Sequence, residues 1–289
     1  MADAVVSFVL EQLKTTIVDK ASEEVGLLVG VQKEVEKLER NLRLINTVLR
    51  DAEEKKRTDD LKNCKSFITF TREGALTYEA LGSLFNHCRR LRVLSFAWPD
   101  GTDHLCKEIP EGIGKLIHLR FLHLASSQKL ERLPEALCNL LNLESLDLWN
   151  CGNLKQLPDS IGKLINLRFL YTAGCSALTQ YPKGVQKLTS LSHLSGLIAR
   201  ADCDDAKEFC LADLGNLKHL RILALKVVGN SIDMEEARKA QLQDTQSLYI
   251  FLAGSIQRAD IIEALDPHRN IPYLRFYGDY WFELPLGSP

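Results

Sequence analysis

One pattern recurs every 24 residues through the middle of the chain and constrains its fold more than any other feature. It can be followed on four prolines and four leucines, which keep the same step: Pro110, Pro134, Pro158 and Pro182, then Leu119, Leu143, Leu167 and Leu191. A fixed period of this length indicates a solenoid, in which each repeat is one turn of a coil. No turn can bury its apolar side chains alone, so stacked turns bury one another's.

Within each repeat the leucines follow the spacing L-x-x-L-x-L, which is clearest at Leu143, Leu146 and Leu148. Side chains of a strand alternate between two faces, so residues 146 and 148 point into the coil while residues 145, 147 and 149 point away from it. This spacing, at a period of about 20–29 residues, is the signature of leucine-rich repeats. The sequence therefore predicts an α/β leucine-rich-repeat solenoid, a horseshoe with a parallel β-sheet along its concave side.

Rigid and small residues occupy the bends of each predicted turn. Pro110 and its equivalents fix φ where the strand has ended and a looser helical return begins, a place where the missing N–H does no harm. Cys151 and Cys175 follow their strands at the position where a small side chain faces the crowded interior. A reactive or metal-binding role is the alternative, although free Cys commonly behaves as a small buried hydrophobe.

The repeats continue on both sides of this block with a looser pattern. Residues 91–96 resemble one strand, and residues 214–225, 245–250 and 271–276 resemble three more. An insertion of five residues before 214 carries several acidic side chains, which we interpret as a solvated loop because it lacks the spacing and the Gly of a calcium site. Residues 282–285 look like the opening of another repeat, so we expect the repeat domain to be incomplete at its C-terminus.

The first 57 residues have a helical pattern instead. A short helix is predicted over residues 2–18, and a longer one follows whose apolar residues step by three and four as a sustained a/d heptad. This coiled-coil seam consists of Leu28, Val31, Val35, Leu38, Leu42, Ile45 and Leu49. Two interpretations remain open, an intramolecular helical hairpin and a coiled-coil dimer, because heptads alone do not distinguish them.

Residues 2–13 and 31–54 resemble the start of the coiled-coil domain of plant disease-resistance proteins. These proteins are intracellular immune receptors with coiled-coil, nucleotide-binding and leucine-rich-repeat domains, and the resemblance covers residues 1–57, about half of the coiled-coil domain. It implies a cytoplasmic protein that acts in defence. It also implies protein partners: a pathogen effector or a host protein at the repeats, and another coiled coil at the N-terminal helices.

The nucleotide-binding domain that this family places between the two parts is missing. No G-x-x-x-x-G-K-[ST] loop occurs, since Gly114-Lys115 and Gly162-Lys163 are each followed by Leu and lack a Gly five residues earlier. We therefore expect no nucleotide cofactor, and divide the chain into a partial coiled-coil domain at 1–57, a junction at 58–63 and a repeat domain at 64–289. A nucleotide-dependent switch, as in the full-length family, and a degenerate product without selected activity are the alternative functions.

Composition and charge exclude several other classes. The net charge is −2 with no basic half, which argues against nucleic acid or an anionic membrane as partner. Eight Cys without C-x-x-C pairs are no disulfide framework. The N-terminus lacks a basic signal region, and no apolar run approaches the roughly 18 residues that span a bilayer, so no integral membrane segment is expected. No motif of an enzyme or a metal site is present.

Same-phase residues of neighbouring strands should form ladders across the concave face, about 4.8 Å apart. Three ladders follow from the period: Phe121, Ser145, Phe169 and His193; His123, Asp147, Tyr171 and Ser195; Ala125, Trp149, Ala173 and Leu197. Aromatic anchors are typical of interface centres, so we predict a partner-binding site on these ladders. Its residues are Phe121, His123, Ser145, Asp147, Trp149, Phe169, Tyr171 and His193. Shielding of neighbouring strands by Phe121 and Phe169 is the alternative.

The fragment 1–57 is expected not to fold by itself, because a core below about 60 residues is marginal. The isolated fragment should be weakly helical or should dimerise as its concentration rises, and Leu38→Glu should lower its helicity in either case. Circular dichroism and sedimentation over a concentration series check this. A monomer that melts cooperatively at a concentration-independent temperature would show that the fragment is a domain of its own.

Overall fold

The computed structural model describes residues 63–69, 78–96, 106–200, 208–229, 233–254, 257–267 and 271–277. The chain divides into two compact units, Met1–Ser66 and Phe67–Pro289, and nearly all described residues belong to the second. The predicted N-terminal helices with the heptad seam lie outside the described residues. So do residues 201–207, which include acidic side chains of the insertion, and the segment 282–285.

A nine-stranded sheet with its strands in sequence order forms the body of the second unit. Strands β2 to β9 pair in parallel, as the repeat pattern predicts. Leu122, Leu146 and Leu170, one period apart, are direct partners across β3, β4 and β5. The strands are β1 (Ser66–Thr69), β2 (Val93–Phe96), β3 (Phe121–His123), β4 (Ser145–Asp147), β5 (Phe169–Tyr171), β6 (His193–Arg200), β7 (Ile222–Gly229), β8 (Ser247–Gly254) and β9 (Tyr273–Tyr277).

The return legs of the regular turns are short 3-10 helices, which confirms the expected looser helical return. They are Glu111–Lys115, Glu135–Asn139, Asp159–Lys163, Lys183–Lys187 and Leu211–Asn216. Each of the first four follows a repeat proline whose φ lies between −73° and −58°, the range that the pyrrolidine ring imposes. Within the described ranges, the connections also contain a further 3-10 helix, Leu242–Asp244, and three α-helices: α1 (Tyr78–His87), α2 (Met234–Arg238) and α3 (Arg258–Leu265).

Leucines of the repeat motif fill the space between the sheet and the 3-10 helices. Leu143, Leu146 and Leu148 are all fully buried, and the same holds for their equivalents one period away in either direction, except that residue 172 is Thr in place of Leu. Fully burying one leucine side chain contributes about 1.5–3 kcal/mol. The strand residues that the sequence predicts to face inward are therefore the residues that form the core.

Outside this core, polar side chains form hydrogen bonds between one turn and the next. The Glu135 carboxylate accepts hydrogen bonds from the backbone N–H groups of Asp159 (2.7 Å) and Ser160 (3.1 Å), at the start of the following 3-10 helix. Asn142 and Asn166 each donate a hydrogen bond of 2.8 Å to a backbone carbonyl of the preceding turn. These contacts satisfy backbone groups that a helix end leaves without a partner.

A bulge in β6 interrupts the regular alternation. The register with β7 shifts between Ser195 and Leu197, and Gly196 between them has a φ of +85°. A Cβ at position 196 would lie 2.3 Å from the Ala173 backbone nitrogen, so only glycine fits there. Because the extra residue inverts the alternation, Leu197 is fully buried and pairs with Leu225.

The prediction that Leu197 continues the third ladder is therefore wrong. Ala125, at the other end of that ladder, is also buried, with 7% of its surface exposed. Only Trp149 and Ala173 of the four predicted residues reach the surface of the sheet.

Tyr181 fixes the bulge from inside the core. It stands where the earlier repeats carry Leu133 and Leu157, and its hydroxyl donates a hydrogen bond of 2.9 Å to the Gly196 carbonyl. The hydroxyl also contacts the Thr172 Oγ1, which itself donates to the Ser195 carbonyl at 2.8 Å. Burial raises the pKa of Tyr181 well above its ordinary value, so the phenol stays neutral and can donate.

Two leucines of one repeat provide a matched test of the core. Leu146→Ala, at a fully buried position, should lower the free energy of unfolding by about 2–5 kcal/mol. Leu141→Ala makes the same change at a position that is 52% exposed and should cost less than about 1 kcal/mol. Urea unfolding of both variants and the wild type measures the difference. Similar losses for the two variants would contradict the assignment of the inner face.

Candidate functional site

The first two predicted ladders form in the predicted register. Phe121, Ser145, Phe169 and His193 are successive strand partners, and so are His123, Asp147, Tyr171 and Ser195. All eight predicted site residues are half-buried on the sheet side opposite the leucine core, with Trp149 in the turn directly after β4. We call the surface formed by these eight residues the concave face.

Phe169 lies at the centre of a group of ring contacts. Its ring is stacked on that of Tyr171, with centroids 6.4 Å apart and planes 20° apart, and it lies 4.8 Å from the His193 ring on the next strand. The guanidinium of Arg168 lies 5.8 Å above the same ring. Phe169 therefore contacts one ring on its own strand and one on the next strand, while Tyr171 and Trp149 are half-exposed.

Asp147 is held by donors on two sides. One carboxylate oxygen lies 2.8 Å from the His123 Nδ1 on the neighbouring strand, and the other accepts a hydrogen bond of 2.9 Å from the Trp149 backbone N–H. The side chains of His123 and Asp147 remain 37% and 23% exposed. The carboxylate therefore has a fixed position on a surface that solvent can reach.

A row of arginines precedes the strands at their N-terminal ends, and the sequence reasoning missed it. Arg92, Arg120, Arg168 and Arg221 follow the first leucine of their repeats and are all exposed. Glu144 occupies the same position on the intervening turn and forms an ion pair of 2.9 Å with Arg120. The signal was present as a recurring Leu-Arg pair, but a chain with a net charge of −2 gave no reason to expect a local basic row.

His193 shows the effect of this row. Burial, together with the nearby positive charges of Arg168 and Arg221, lowers the pKa of His193 to about 4. The Ser192 hydroxyl lies 2.8 Å from its Nδ1. His193 is half-buried like His123, whereas His118 and His219 are exposed.

The two bend cysteines occupy the small buried positions predicted for them. The Cys151 and Cys175 thiols donate to the backbone carbonyls of Leu124 (3.2 Å) and Leu148 (3.1 Å) on the preceding turns. The neighbouring Cys175 thiol and burial raise the pKa of Cys151, which keeps it protonated and unreactive. Cys210 is disulfide-bonded, which the spacing of the cysteines did not predict.

A partly buried ion pair between turns was also not predicted from the sequence. Lys183 approaches the Asp213 carboxylate at 2.8 Å, and the Asp213 side chain is only 9% exposed. The same carboxylate accepts a hydrogen bond of 2.8 Å from the Cys210 backbone N–H at the start of the 3-10 helix. This pair joins two return legs and belongs to the scaffold, since it lies away from the concave face.

Neither a cluster suited to a metal ion nor a membrane-spanning helix occurs in the part of the chain that the structure describes. Over the residues that the structure describes, no group of three or more His, Cys, Asp or Glu side chains is placed to hold a metal ion. The helices of that same part of the chain are all too short or too polar to cross a bilayer.

Family comparisons agree with this architecture. A model of the leucine-rich repeat region matches residues 63–285, and a model of the Rx N-terminal domain matches residues 5–85. The fold and the match define a protein-interaction scaffold, and the chain belongs to the leucine-rich-repeat family. With the Rx-type N-terminal domain it is a plant resistance-type protein of the coiled-coil class, an immune-receptor-like module. The two matches overlap at residues 63–85, which leaves no stretch between them for a nucleotide-binding domain.

Solved structures with the same repeat fold are distant. An internalin from Listeria monocytogenes is 14% identical with a TM-score of 0.42, and the match covers 76% of this chain and 62% of the internalin. A leucine-rich-repeat protein of Leptospira interrogans is 16% identical with a TM-score of 0.33, covering 76% and 74%. The Arabidopsis receptor kinase HAESA, solved with a peptide hormone and a co-receptor, is 18% identical with a TM-score of 0.35, covering 65% and 32%. A comparison with curated proteins found no match.

The lowered pKa of His193 predicts a pH dependence of stability. Between pH 6.5 and 4 the unfolded chain binds a proton at this residue and the folded chain does not, so stability falls as the pH falls through this window. From pH 7 to pH 5 the loss should be about 1–2 kcal/mol, and His193→Gln should remove it. Urea unfolding at both pH values measures this, with exposed His118→Gln as control. An equal loss in wild type and His193→Gln would contradict the prediction.

Proposed function

We propose that this protein recognises a protein partner in plant defence through its concave face. The observation that supports this is that Trp149 and Tyr171, two large half-exposed aromatic side chains, lie at diagonal positions on neighbouring turns. Aromatic residues of this kind are enriched at the energetic centres of protein interfaces. The scaffold does not require them, because the leucines on the opposite side of the sheet form the core.

The geometry of the sheet suits a partner that lies across several strands. Strands β3 to β5 have three residues each, so each turn presents a short row of side chains, and the turns repeat in register. Three adjacent turns thus offer Phe121, Trp149, Phe169 and Tyr171 as one surface, with Ser145 and Asp147 between them. The partner is a pathogen effector or a host protein, and we further propose that the chain acts in the cytoplasm.

The N-terminal heptad is proposed to engage another coiled coil. Its apolar stripe, from Leu28 to Leu49, is long enough for a helix pair, and the Rx-type match supports this part of the proposal. The domain boundaries at 57 and 63 are proposed from the sequence alone, where the helical pattern ends and the repeat domain begins. No catalytic step or cofactor enters this function, because recognition by a repeat surface needs neither.

The test compares two double variants of the full chain. Trp149→Ala with Tyr171→Ala should weaken binding of a partner by about 2 kcal/mol or more and leave the unfolding midpoint nearly unchanged. Ile117→Ala with Ile165→Ala is the matched control, because both side chains are more than half exposed and lie outside the strands. Partners are captured from immune-challenged plant tissue with the wild type, and their affinities are then measured with the purified proteins.

The comparison has one decisive outcome against the proposal. If the aromatic variant unfolds while its binding per folded molecule is unchanged, Trp149 and Tyr171 serve packing and the concave face is not the binding site. Equal weakening by the control variant would place the partner elsewhere on the repeats.

A further inference from the structure

Asp147 is unusual among the outward-facing residues of the sheet. At the outward positions of β1 to β9, as far as the structure describes them, it is the only carboxylate, while Lys226 and Arg275 at such positions are basic. Other outward residues near it are aromatic or small and polar. A single negative charge on this face therefore stands apart from its surroundings.

This carboxylate lies between the His123 imidazole on one side and a group of aromatic side chains. Tyr171 is its direct strand partner on one side, and Trp149 lies two residues further along the same chain, on the same face. Phe121 and Phe169 occupy the diagonal positions on the two neighbouring strands. We call the surface formed by Asp147, Trp149, Tyr171, Phe121 and Phe169 the cation subsite.

The stability of the fold gives little reason for a carboxylate at this position. The pair of Asp147 and His123 is partly exposed, and pairs of this kind contribute only about 0–1 kcal/mol. The contact does hold the carboxylate in place, as does the Trp149 backbone N–H. Asp147 is thus a negative charge with a fixed position on the concave face.

We propose that the cation subsite binds a Lys or Arg side chain of the protein partner. A cation is attracted by the faces of Trp, Tyr and Phe rings, with Trp the strongest, and a carboxylate within the same group adds Coulomb attraction. Partial burial of the subsite strengthens both terms because less water screens them. The inference rests on the proposed function, since it names the chemistry that the concave face recognises in its partner.

The test uses a random peptide library displayed on phage and selected on the intact chain. Bound peptides should be enriched in Lys and Arg. Each selected peptide is then synthesised with its basic residue and again with norleucine, which keeps the aliphatic length and removes the charge. Asp147→Asn should lower the affinity for the basic peptide about five- to tenfold and leave that for the norleucine peptide within about twofold.

Two further variants keep the result interpretable. Asp159→Asn removes an exposed carboxylate from a 3-10 helix outside the sheet and should change neither affinity. Asp147→Lys should favour a version of the peptide with Glu in place of the basic residue. This gain of binding cannot come from a misfolded chain. An unchanged unfolding midpoint in urea checks that the variant is folded.

The outcomes separate this inference from the proposed function. Peptides that lose binding with Trp149→Ala but not with Asp147→Asn would show an apolar interface, which overturns the cation subsite and supports the concave face. If the selected peptides are not enriched in Lys and Arg but lose binding with Trp149→Ala, the cation subsite is likewise overturned and the concave face is supported. Peptides that are indifferent to both substitutions would overturn the inference and the proposed function together.

Discussion

The leucines of each turn leave water only by contacting the leucines of the next turn. This constraint places Leu122, Leu146 and Leu170 side by side and sets the strand order, because a turn that moved out of line would expose its own core. Stability in such an array is a sum of contacts between neighbours. The period, the parallel pairing and the proline at the start of each return leg all follow from it.

The residues that face outward from the sheet take no part in this packing of leucines between turns. Residues such as Asp147, Trp149 and Tyr171 contribute nothing to the contact between leucine layers, so they can vary without loss of the fold. The strict spacing of the scaffold nevertheless fixes where they point. The core holds the sheet rigid, while the side chains on the outward face of the sheet are not constrained by core packing. A partner therefore contacts side chains presented at regular intervals of about 4.8 Å, which is a physical basis for recognition.

The bulge at Gly196 divides the sheet into two parts with different surfaces. Before it, β3 to β5 have three residues each, and after it β6 to β8 have eight. Tyr181 and Thr172 hold the bulge from the core side through hydrogen bonds to the carbonyls of Gly196 and Ser195. The cation subsite and the aromatic pair lie entirely in the short-stranded part, where the period is strict.

The sequence alone determined the repeat, the inner face, the buried bend cysteines and the register of two ladders, because these depend on spacing within one period. Tertiary structure decided the rest. Leu197 turned inward because an extra residue at Gly196 inverts the alternation, and local spacing does not reveal which strand accommodates a bulge. The lowered pKa of His193 arises from burial and from arginines on two different turns, and the ion pair of Lys183 and Asp213 joins residues thirty positions apart. Such contacts exist only once the turns are stacked.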